Sequence, residues 1–394
     1  MTGFIEHGLE RIARRKGKLA RSLRRRMARW SMENDLRLDP GYNPDSVEEG
    51  FQDRRSASRD PELLRRITRS YNKAKAQQAS APPCYQVSNE WLPIYTRYMG
   101  TVMNLLAKED HQGLQEVYEN FWRDPCSTGL LGLSFDMQAR FASGRIKAKD
   151  RRAFLNDTIH RIRLWTTLLG KTHSLQDLSS PLIGNPYGFT RDGVFIKSGA
   201  DYLHYYAVTI SRLLRRVGGR KVVMELGGGF GGMAYYLIRD NPDCAYVDFD
   251  LPENMALTAY YLLSAHPEKK ALLFGEGDLT AAALRDNDII LMPGFAMQDL
   301  PSDCVDLSFN SYSLAEMSPE TIATYIGQIS RVTRQFFLHI NHTRNSVLGA
   351  DDFGIDPARF DLLYRAPALW NLARNPDMDE FEYLYWKIDA GKAR

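Results

Sequence analysis

The sequence predicts an α/β protein in which a Rossmann-like, doubly wound sheet follows a mostly α-helical region. Apolar residues recur at helical spacing between residues 61 and 180. After Gly218, short apolar runs alternate with helical stretches, and a glycine-rich turn separates the first run from the helix that follows it. Such alternation is typical of a parallel sheet that binds its ligand at the carboxyl ends of its strands.

The composition indicates a globular chain of two or three domains, since 44% of its 394 residues are hydrophobic and 25% are charged. No stretch approaches 18 uncharged apolar residues, so we expect no transmembrane helix. The four cysteines lie far apart and have no histidines at ligand spacing, which favours reduced cytosolic thiols over a zinc site. We therefore expect a cytoplasmic protein.

Residues 1–30 form a basic arm. They hold ten Lys or Arg residues against Glu6 and Glu10, a charge of +8 in a chain whose net charge is +3. As an amphipathic helix, the arm would suit peripheral contact with an anionic membrane or a partner protein. A transit peptide and a solvated extension are the other interpretations, whereas the apolar run of a secretory signal is missing. Since the rest of the chain has no matching basic face, we expect no nucleic-acid binding.

A polar, turn-rich linker is predicted over residues 31–60, and the α-helical region follows over residues 61–180. From residue 181 the chain is richer in Gly, Pro and aromatic residues, which we interpret as the entry to a Rossmann-like domain that ends near residue 345. Residues 346–394 remain as a C-terminal extension or lid. The helices predicted in the α-helical region are Pro61–Gln78, Glu90–Leu106, Leu114–Trp122 and Arg151–Leu169.

Five apolar runs in the second domain are predicted to be strands, with helices between them. The status of Ala271–Phe274 stays open between an extra short strand and a helix end. The strands are Lys221–Leu226, Ala245–Phe249, Asp288–Met292, Val305–Asn310 and Phe336–Asn341, and the helices are Met233–Arg239, Pro252–Ala265 and Pro319–Thr333.

The glycine-rich turn Glu225-Leu-Gly-Gly-Gly-Phe-Gly-Gly lies between a strand and a helix, where glycines let the backbone approach a ligand closely. Gly227, Gly229 and Gly232 satisfy the GxGxxG pattern of dinucleotide sites. With Glu225, the glycines Gly227, Gly229 and Gly231 also satisfy E-x-G-x-G-x-G, the pattern of S-adenosylmethionine-dependent methyltransferases.

Glu225 decides between these two ligands. A carboxylate there would bind the ammonium group of a methionine tail and would gain nothing from a pyrophosphate. A dinucleotide-dependent oxidoreductase would also need a catalytic set such as Tyr-x-x-x-Lys in its Rossmann-like domain, and residues 181–345 contain none. A non-catalytic nucleotide-binding scaffold remains the alternative from another functional class.

Two aspartates end the second strand of the sheet, about 20 residues after the glycines. A carboxylate at this point can bind both ribose hydroxyls of a nucleoside. Asp248 and Asp250 point to the same side of an ideal strand, and Asp250 is favoured because it is the last residue of the strand.

Five segments resemble the sugar O-methyltransferase family, which belongs to the class I S-adenosylmethionine-dependent methyltransferases. The resemblance covers residues 180–345 well and the helical region loosely. It implies the class I fold, S-adenosylmethionine as methyl donor, and a sugar, glycoconjugate or other small molecule as hydroxyl acceptor. The segments are NPYG at 185–188, GADYLHYYA at 199–207, ELGGGFGG at 225–232, DLPEN at 250–254 and NSYSLAEMS at 310–318.

The resemblance also implies an acid after the third strand, to bind the adenine amino group. If Asp288–Met292 is that strand, Ala296 or Met297 stands in the place of the acid. Backbone groups near Phe295, Ala296 and Met297, or the Gln298 side chain, would then substitute. Asp278 is the alternative if Ala271–Phe274 is the third strand.

Polar side chains near the ends of the last two strands are the candidates for methyl transfer, which needs in-line approach and removal of a hydroxyl proton. We predict His342 as the base and Glu316 as its orienting group or as an alternative base. Asn310 is assigned to the donor, and Tyr187, His204 and Tyr312 to the acceptor. A divalent metal stays open because of the acids Asp351, Asp352 and Asp356, although a surface loop is the favoured interpretation of this cluster.

Overall fold

The computed structural model describes residues 22–23, 26–27, 30–55, 60–87, 91–131, 139–141, 143–344, 346–375 and 379–388. Of the basic arm, only five residues fall within these ranges, so the amphipathic helix predicted over residues 1–30 lies outside the described residues. No helix in the described ranges combines the length and the apolar character needed to cross a membrane.

Helices dominate the chain up to residue 169. Pro61 begins the helix that ends at Gln78, because the Asp60 side chain accepts hydrogen bonds from the backbone N–H groups of Glu62 and Leu63. Part of the predicted linker is helical as well, over residues 30–36 and in the first helix named below. The helices are α1 Ser46–Gly50, α2 Pro61–Gln78, α3 Trp91–Ile94, α4 Gly100–Ala107, α5 His111–Tyr118 and α6 Ala148–Leu169, with a π-helical turn Tyr95–Met99 between α3 and α4.

An antiparallel hairpin, β1 Gly188–Arg191 and β2 Val194–Lys197, connects the helical region to the second domain. Its two-residue turn is Asp192-Gly193, and both residues have positive φ angles, 51° and 77°. That backbone suits a tight hairpin, in which glycine carries the left-handed conformation without strain. The hairpin leads directly into helix α7, Ala200–Leu213.

Eight strands form one sheet in the order β5-β6-β4-β3-β7-β8-β10-β9, of which the first six are parallel. Helices cover both faces, because successive residues of the central strands belong to two different apolar clusters. The predicted fold class is confirmed. The strands are β3 Lys221–Leu226, β4 Cys244–Asp250, β5 Ala271–Leu273, β6 Ile289–Pro293, β7 Val305–Ser311, β8 Thr333–His342, β9 Phe360–Pro367 and β10 Glu380–Lys387, and the helices are α8 Gly232–Asp240, α9 Pro252–Ala265, α10 Ala281–Asp286 and α11 Pro319–Val332.

The strand order answers two questions that the sequence left open: whether Ala271–Phe274 is a strand, and which strand is the third of the main sheet. Strand β5 is an extra strand at the edge, and β6 lies between it and β4. Strand β6, predicted as Asp288–Met292, is therefore the third strand of the main sheet, and Ala271–Phe274 is not. The chain first extends the sheet from β3 towards β6 and then returns to β7, so a crevice opens between β3 and β7 at their carboxyl ends.

The sheet continues beyond residue 345, where the sequence analysis ended the domain. Strand β10 pairs antiparallel with β8, with Glu380 opposite His342, and β9 pairs with β10. Tyr383 and Leu384 of β10 are buried in the apolar clusters. Residues 360–387 therefore include two strands of the same sheet, and the boundary predicted at residue 345 is wrong.

Buried polar contacts hold the helical region against the sheet domain. The Glu253 side chain of α9 accepts hydrogen bonds from the hydroxyls of Tyr71, at 3.2 Å, and Tyr95, at 2.9 Å. The Lys75 Nζ atom lies 2.9 Å from the same carboxylate. Glu253 is 2% exposed, so these three partners compensate a carboxylate that would otherwise be costly to bury.

Candidate functional site

A cavity of about 400 Å³ opens at the carboxyl ends of β3, β4, β7 and β8. Its volume lies within the range typical of small-molecule sites. The sheet supplies one wall and the helical region the other. Residues of the helical region that line it include Tyr85, Gln86, Trp91, Leu130 and Arg161; those from the sheet domain include Tyr202, Glu225, Gly227, Gly229, Asp250, Leu251, Asn254, Tyr312, Glu316, Thr321, Tyr325, His342 and Asn371.

The glycine-rich turn reaches the cavity with Gly227 and Gly229. Gly227 has a φ of 78°, and a Cβ atom there would lie 2.4 Å from the Ser313 Oγ atom, so glycine is required. Gly231 does not line the cavity. It precedes α8, and a Cβ atom on it would lie 2.9 Å from Leu262 of α9, so its role in the fold is the close packing of the turn against that helix.

Three buried or partly buried carboxylates lie beside this turn. Glu225 is 4% exposed, and its Oε2 atom accepts a hydrogen bond of 2.7 Å from the Tyr246 hydroxyl. Burial raises the pKa of Glu225 to about 7, despite that hydrogen bond. Burial also raises the pKa values of Asp248 and Asp250, and the charge of Asp250 adds to the effect on Asp248.

Backbone donors fix the two aspartates in different positions. Asp250 lines the cavity; its Oδ2 accepts from the Gly229 N–H at 3.0 Å, and its Oδ1 from the Asn254 side chain at 2.9 Å. Asp248 is fully buried, outside the cavity lining, and accepts from the Gly228 N–H at 3.0 Å. The preference for Asp250 over Asp248 therefore agrees with their positions.

No Lys, Arg or His among the described residues forms an ion pair with any of these three carboxylates, and the groups that shift the pKa of Glu225 include no cation. Buried anions usually have a cationic partner or a dense set of donors. The cluster thus places three carboxyl groups close together, and two of them, Glu225 and Asp250, are accessible from the cavity. Chemically, this end of the cavity is suited to a ligand that brings its own positive charge.

The segment after β6 does not reach the cavity, contrary to the prediction for adenine. Phe295, Ala296 and Met297 are buried in a 3₁₀ segment, Gly294–Asp299, and pack into one of the apolar clusters. None of them lines the cavity. The 3₁₀ turn directs these side chains into the core beneath helix α11 rather than towards the ligand.

Asn310 is also fully buried and does not line the cavity, contrary to its assignment to the donor. Its Nδ2 donates to the Leu226 carbonyl at 2.9 Å, and its Oδ1 accepts from the Asn341 side chain at 2.9 Å. The Asn341 Oδ1 accepts from the Ala315 N–H at 3.1 Å. This network joins the ends of β3, β7 and β8 beneath the site.

Tyr312, Glu316 and His342, which were predicted for the acceptor and for methyl transfer, also line the cavity. His342 Nδ1 lies 3.9 Å from an Asp379 oxygen, so the acid beside the predicted base is Asp379. Glu316 instead accepts a hydrogen bond of 2.8 Å from the Trp91 indole N–H of the helical region. The pairing of Glu316 with His342 stays a prediction.

Tyr312 follows β7 with a φ of 66°, an unusual angle for a residue with a side chain. Its hydroxyl donates to Glu380 Oε2 at 2.8 Å, and its ring lies 5.3 Å from that of His342. This strained backbone places the ring between Tyr202 and His342.

Two residues assigned to the acceptor do not line the cavity. His204 is fully buried, and its Nδ1 accepts a hydrogen bond of 3.1 Å from the Trp165 indole N–H; burial lowers its pKa to about 4. Tyr187 is 1% exposed and stacks on Phe51 at 4.8 Å. Both side chains pack in the core between the two domains.

One group of side chains among the described residues has ligand atoms close enough to hold a metal ion: His342, Asp379 and Glu380, all within 4.8 Å of one another. The acids considered from the sequence are elsewhere. Asp351 forms a two-point ion pair with Arg365, at 2.8 Å for each contact, and accepts from the Tyr383 hydroxyl.

Several residues of the site were not predicted from the sequence. Tyr246 lies behind the cavity and donates to Glu225; it was detectable, because alternation along β4 places it on the same side as Asp248 and Asp250. Tyr85, Trp91 and Tyr325 carry no such signal, since they come from the helical region and from α11 and meet the site only through tertiary packing.

Comparison with known proteins agrees with this geometry. Residues 204–312 match the model of the O-methyltransferase domain. No curated protein matches the chain. The matched stretch begins within α7, ends just after β7, and includes the glycine-rich turn.

Many solved structures share part of the fold. The pyocyanin biosynthetic protein PhzM is 11% identical with a TM-score of 0.33, and the alignment covers 48% of this chain and 56% of that one. The N-methyltransferase NodS from Bradyrhizobium japonicum, in complex with S-adenosylhomocysteine, is 12% identical with a TM-score of 0.33, covering 47% of this chain and 87% of that one. Magnesium protoporphyrin IX methyltransferase from Synechocystis is 9% identical with a TM-score of 0.34, covering 48% and 81%. The chain thus spans little more than half the length of PhzM, and similarities this low carry no argument about substrate.

Proposed function

We propose that the protein transfers a methyl group from S-adenosylmethionine to a hydroxyl of a sugar, a glycoconjugate or another small hydroxylated molecule. The observation that supports this most is the carboxylate cluster, in which Glu225 and Asp250 face the cavity without a cationic partner. The proposed donor carries a sulfonium and an ammonium group and so supplies the missing positive charge.

At the donor end, each residue has a role that follows from its chemistry. Glu225 would bind the ammonium group, and the negative cluster would favour the nearby sulfonium. Asp250, at the tip of β4, would accept from the ribose hydroxyls. Gly227 and Gly229 leave room for the donor to approach the backbone.

At the acceptor end, His342 is the proposed general base. Its Nδ1 faces Asp379, which would stabilise the imidazolium and leave Nε2 to take the hydroxyl proton. When bound, the donor supplies an electrophilic methyl group. As the acceptor oxygen bonds to the methyl carbon, the carbon–sulfur bond breaks with its electron pair remaining on sulfur, and the proton goes to His342.

The acceptor wall favours a polyhydroxylated ligand. Tyr202 and Tyr312 line it with aromatic rings, and the polar side chains of Arg161 and Asn371 lie beside them. Aromatic faces interleaved with polar groups suit rings that carry several hydroxyls. This combination supports a sugar over an entirely apolar acceptor.

Transfer of label from methyl-labelled S-adenosylmethionine to a panel of sugars and glycosides tests the proposal. We expect label in at least one hydroxyl acceptor, a severe loss of rate in His342→Ala and Glu316→Ala, and normal rate in the control His111→Ala, which lies in the helical region outside the cavity. Binding of S-adenosylhomocysteine without transfer to any acceptor would favour a scaffold, and binding of NAD in its place would favour an oxidoreductase.

A further inference from the structure

The order of the strands shows how the site residues are arranged along the cavity. Asp250 ends β4, Glu225 lies near the end of β3, Tyr312 follows β7 and His342 ends β8, and these strands are neighbours in that order. At about 4.8 Å between neighbouring strands, the line from β4 to β8 is about 14 Å long. If Asp250 holds the ribose and His342 the acceptor, the nucleobase lies beyond Asp250, on the β6 side.

Two tyrosines stand at that end. Tyr325 comes from α11 and Tyr85 from the helical region, and both line the cavity. Their rings meet edge to face with centroids 5.7 Å apart. The Thr321 hydroxyl of α11 donates to the Cys84 carbonyl at 3.3 Å, which holds the two elements together. Burial raises the pKa of Tyr325, and the charges of Tyr85 and Asp250 add to the effect, so its hydroxyl stays protonated near the Asp250 carboxylate.

The Tyr325 hydroxyl occupies the place expected for the adenine-binding group. A Cβ atom on Gly294 would lie 2.1 Å from the Tyr325 oxygen, so this oxygen rests directly against the backbone at the end of β6. Phe295, Ala296 and Met297, which follow Gly294, are buried behind it. Tyr325 thus lines the cavity beside the end of β6, where the segment that follows β6 does not.

We infer that Tyr325 and Tyr85 hold the nucleobase of the methyl donor, with the Tyr325 hydroxyl accepting a hydrogen bond from the exocyclic amino group of adenine and the two rings packing against the base. The inference deepens the proposed function and rests on it. It assigns selection of adenine to an aromatic pair that joins the two domains.

Calorimetric titration with S-adenosylhomocysteine tests this assignment. Tyr325→Phe keeps the ring and removes the hydroxyl, and we expect about fivefold weaker binding, the usual effect of one hydrogen bond. Tyr325→Leu also removes the aromatic face, and we expect a loss of about 30-fold or more. Tyr118→Phe, a buried tyrosine of the helical region outside the cavity, is the matched control and should bind as the wild type does.

A second ligand separates direct contact from a general structural effect. The analogue of S-adenosylhomocysteine in which unsubstituted purine replaces adenine has only a hydrogen atom at C6, so this position neither donates to the Tyr325 oxygen nor accepts from its hydroxyl. The wild type should prefer the adenine ligand, and Tyr325→Phe should lose about fivefold of that preference. Equal melting temperatures for the wild type and Tyr325→Phe establish that the variant is folded.

The possible results are distinguishable. If the wild type binds S-adenosylhomocysteine and Tyr325→Phe keeps both the affinity and the preference for adenine, the inference is wrong while the proposed function stands. If the wild type does not bind S-adenosylhomocysteine, the proposed function fails and the inference fails with it.

Discussion

Replacement of Glu225 by glutamine isolates the charge that the proposed donor site depends on. The two side chains have the same shape, and glutamine retains an oxygen that can accept from the Tyr246 hydroxyl. What is lost is the attraction between a carboxylate and an ammonium group. A hydrogen bond to a charged group contributes roughly 1.5–3 kcal/mol, so at ~2 kcal/mol we expect S-adenosylhomocysteine to bind about 30-fold more weakly.

The pH dependence of that difference is the sharper test. The pKa of Glu225 is raised to about 7, so the free protein holds this group largely ionised at pH 7.5 and only about 3% ionised at pH 5.5. The advantage of the wild type over Glu225→Gln should therefore be about 30-fold at pH 7.5 and nearly absent at pH 5.5.

The same substitution should stabilise the protein without ligand. Because the folded pKa of Glu225 lies above its usual value of 4.5, the carboxylate lowers stability progressively as the pH rises from 4.5 to 7, and the full penalty applies above that range. Removing it gains about 3 kcal/mol at pH 8. Isothermal calorimetry and thermal melting measure the two effects. Equal affinities at pH 7.5, or a ratio that does not change with pH, would refute the reasoning.

The other predictions concern the base, the interface between the domains and the glycine turn. His342→Ala should lower kcat by about 10²- to 10⁴-fold, with the affinity for S-adenosylhomocysteine unchanged in calorimetry. Glu253→Gln should lower the free energy of unfolding in urea by about 1–3 kcal/mol, because it leaves Lys75 without its buried anionic partner. Gly227→Ala should abolish donor binding, since the added Cβ atom meets the Ser313 Oγ atom at 2.4 Å; Gly193→Ala has a φ of 77° and open space around it and should cost only about 1–2 kcal/mol of stability.

Each of these outcomes has a contrary result. Loss of donor affinity in His342→Ala would place this histidine at the donor rather than at the acceptor. An unchanged urea midpoint in Glu253→Gln would mean that the cluster does not hold the domains together. If Gly227→Ala cost no more stability than Gly193→Ala and still bound the donor, backbone strain would be the main effect of the substitution, and the close approach to Ser313 would not matter.

The central strands could be predicted from the sequence because both of their faces are buried. Such strands form continuous apolar runs bounded by polar or turn residues, and β7 differs from its prediction only by one residue at its end. Strand β9 was not predicted. It is not buried on both faces, since four consecutive side chains in it, residues 362–365, are exposed. In β10, Glu380 and Glu382 alternate with apolar residues and interrupt the run.

The positions of the site residues could be predicted where the chain geometry is simple. Residues at strand ends, such as Asp250 and His342, do line the cavity. His204 does not, because helix geometry sets it about 200° from Tyr202, and it is Tyr202 that faces the cavity. The pairing of His342 with Asp379 could not be predicted from the sequence, since it depends on β10 lying beside β8.

A crystal structure of the protein with S-adenosylhomocysteine is the most direct test of the proposed donor site. We predict the ligand's ammonium nitrogen within hydrogen-bond distance of a Glu225 oxygen, and its ribose hydroxyls on Asp250. A ligand bound away from both carboxylates, or a diphosphate on the glycine turn in crystals soaked with NAD, would contradict it.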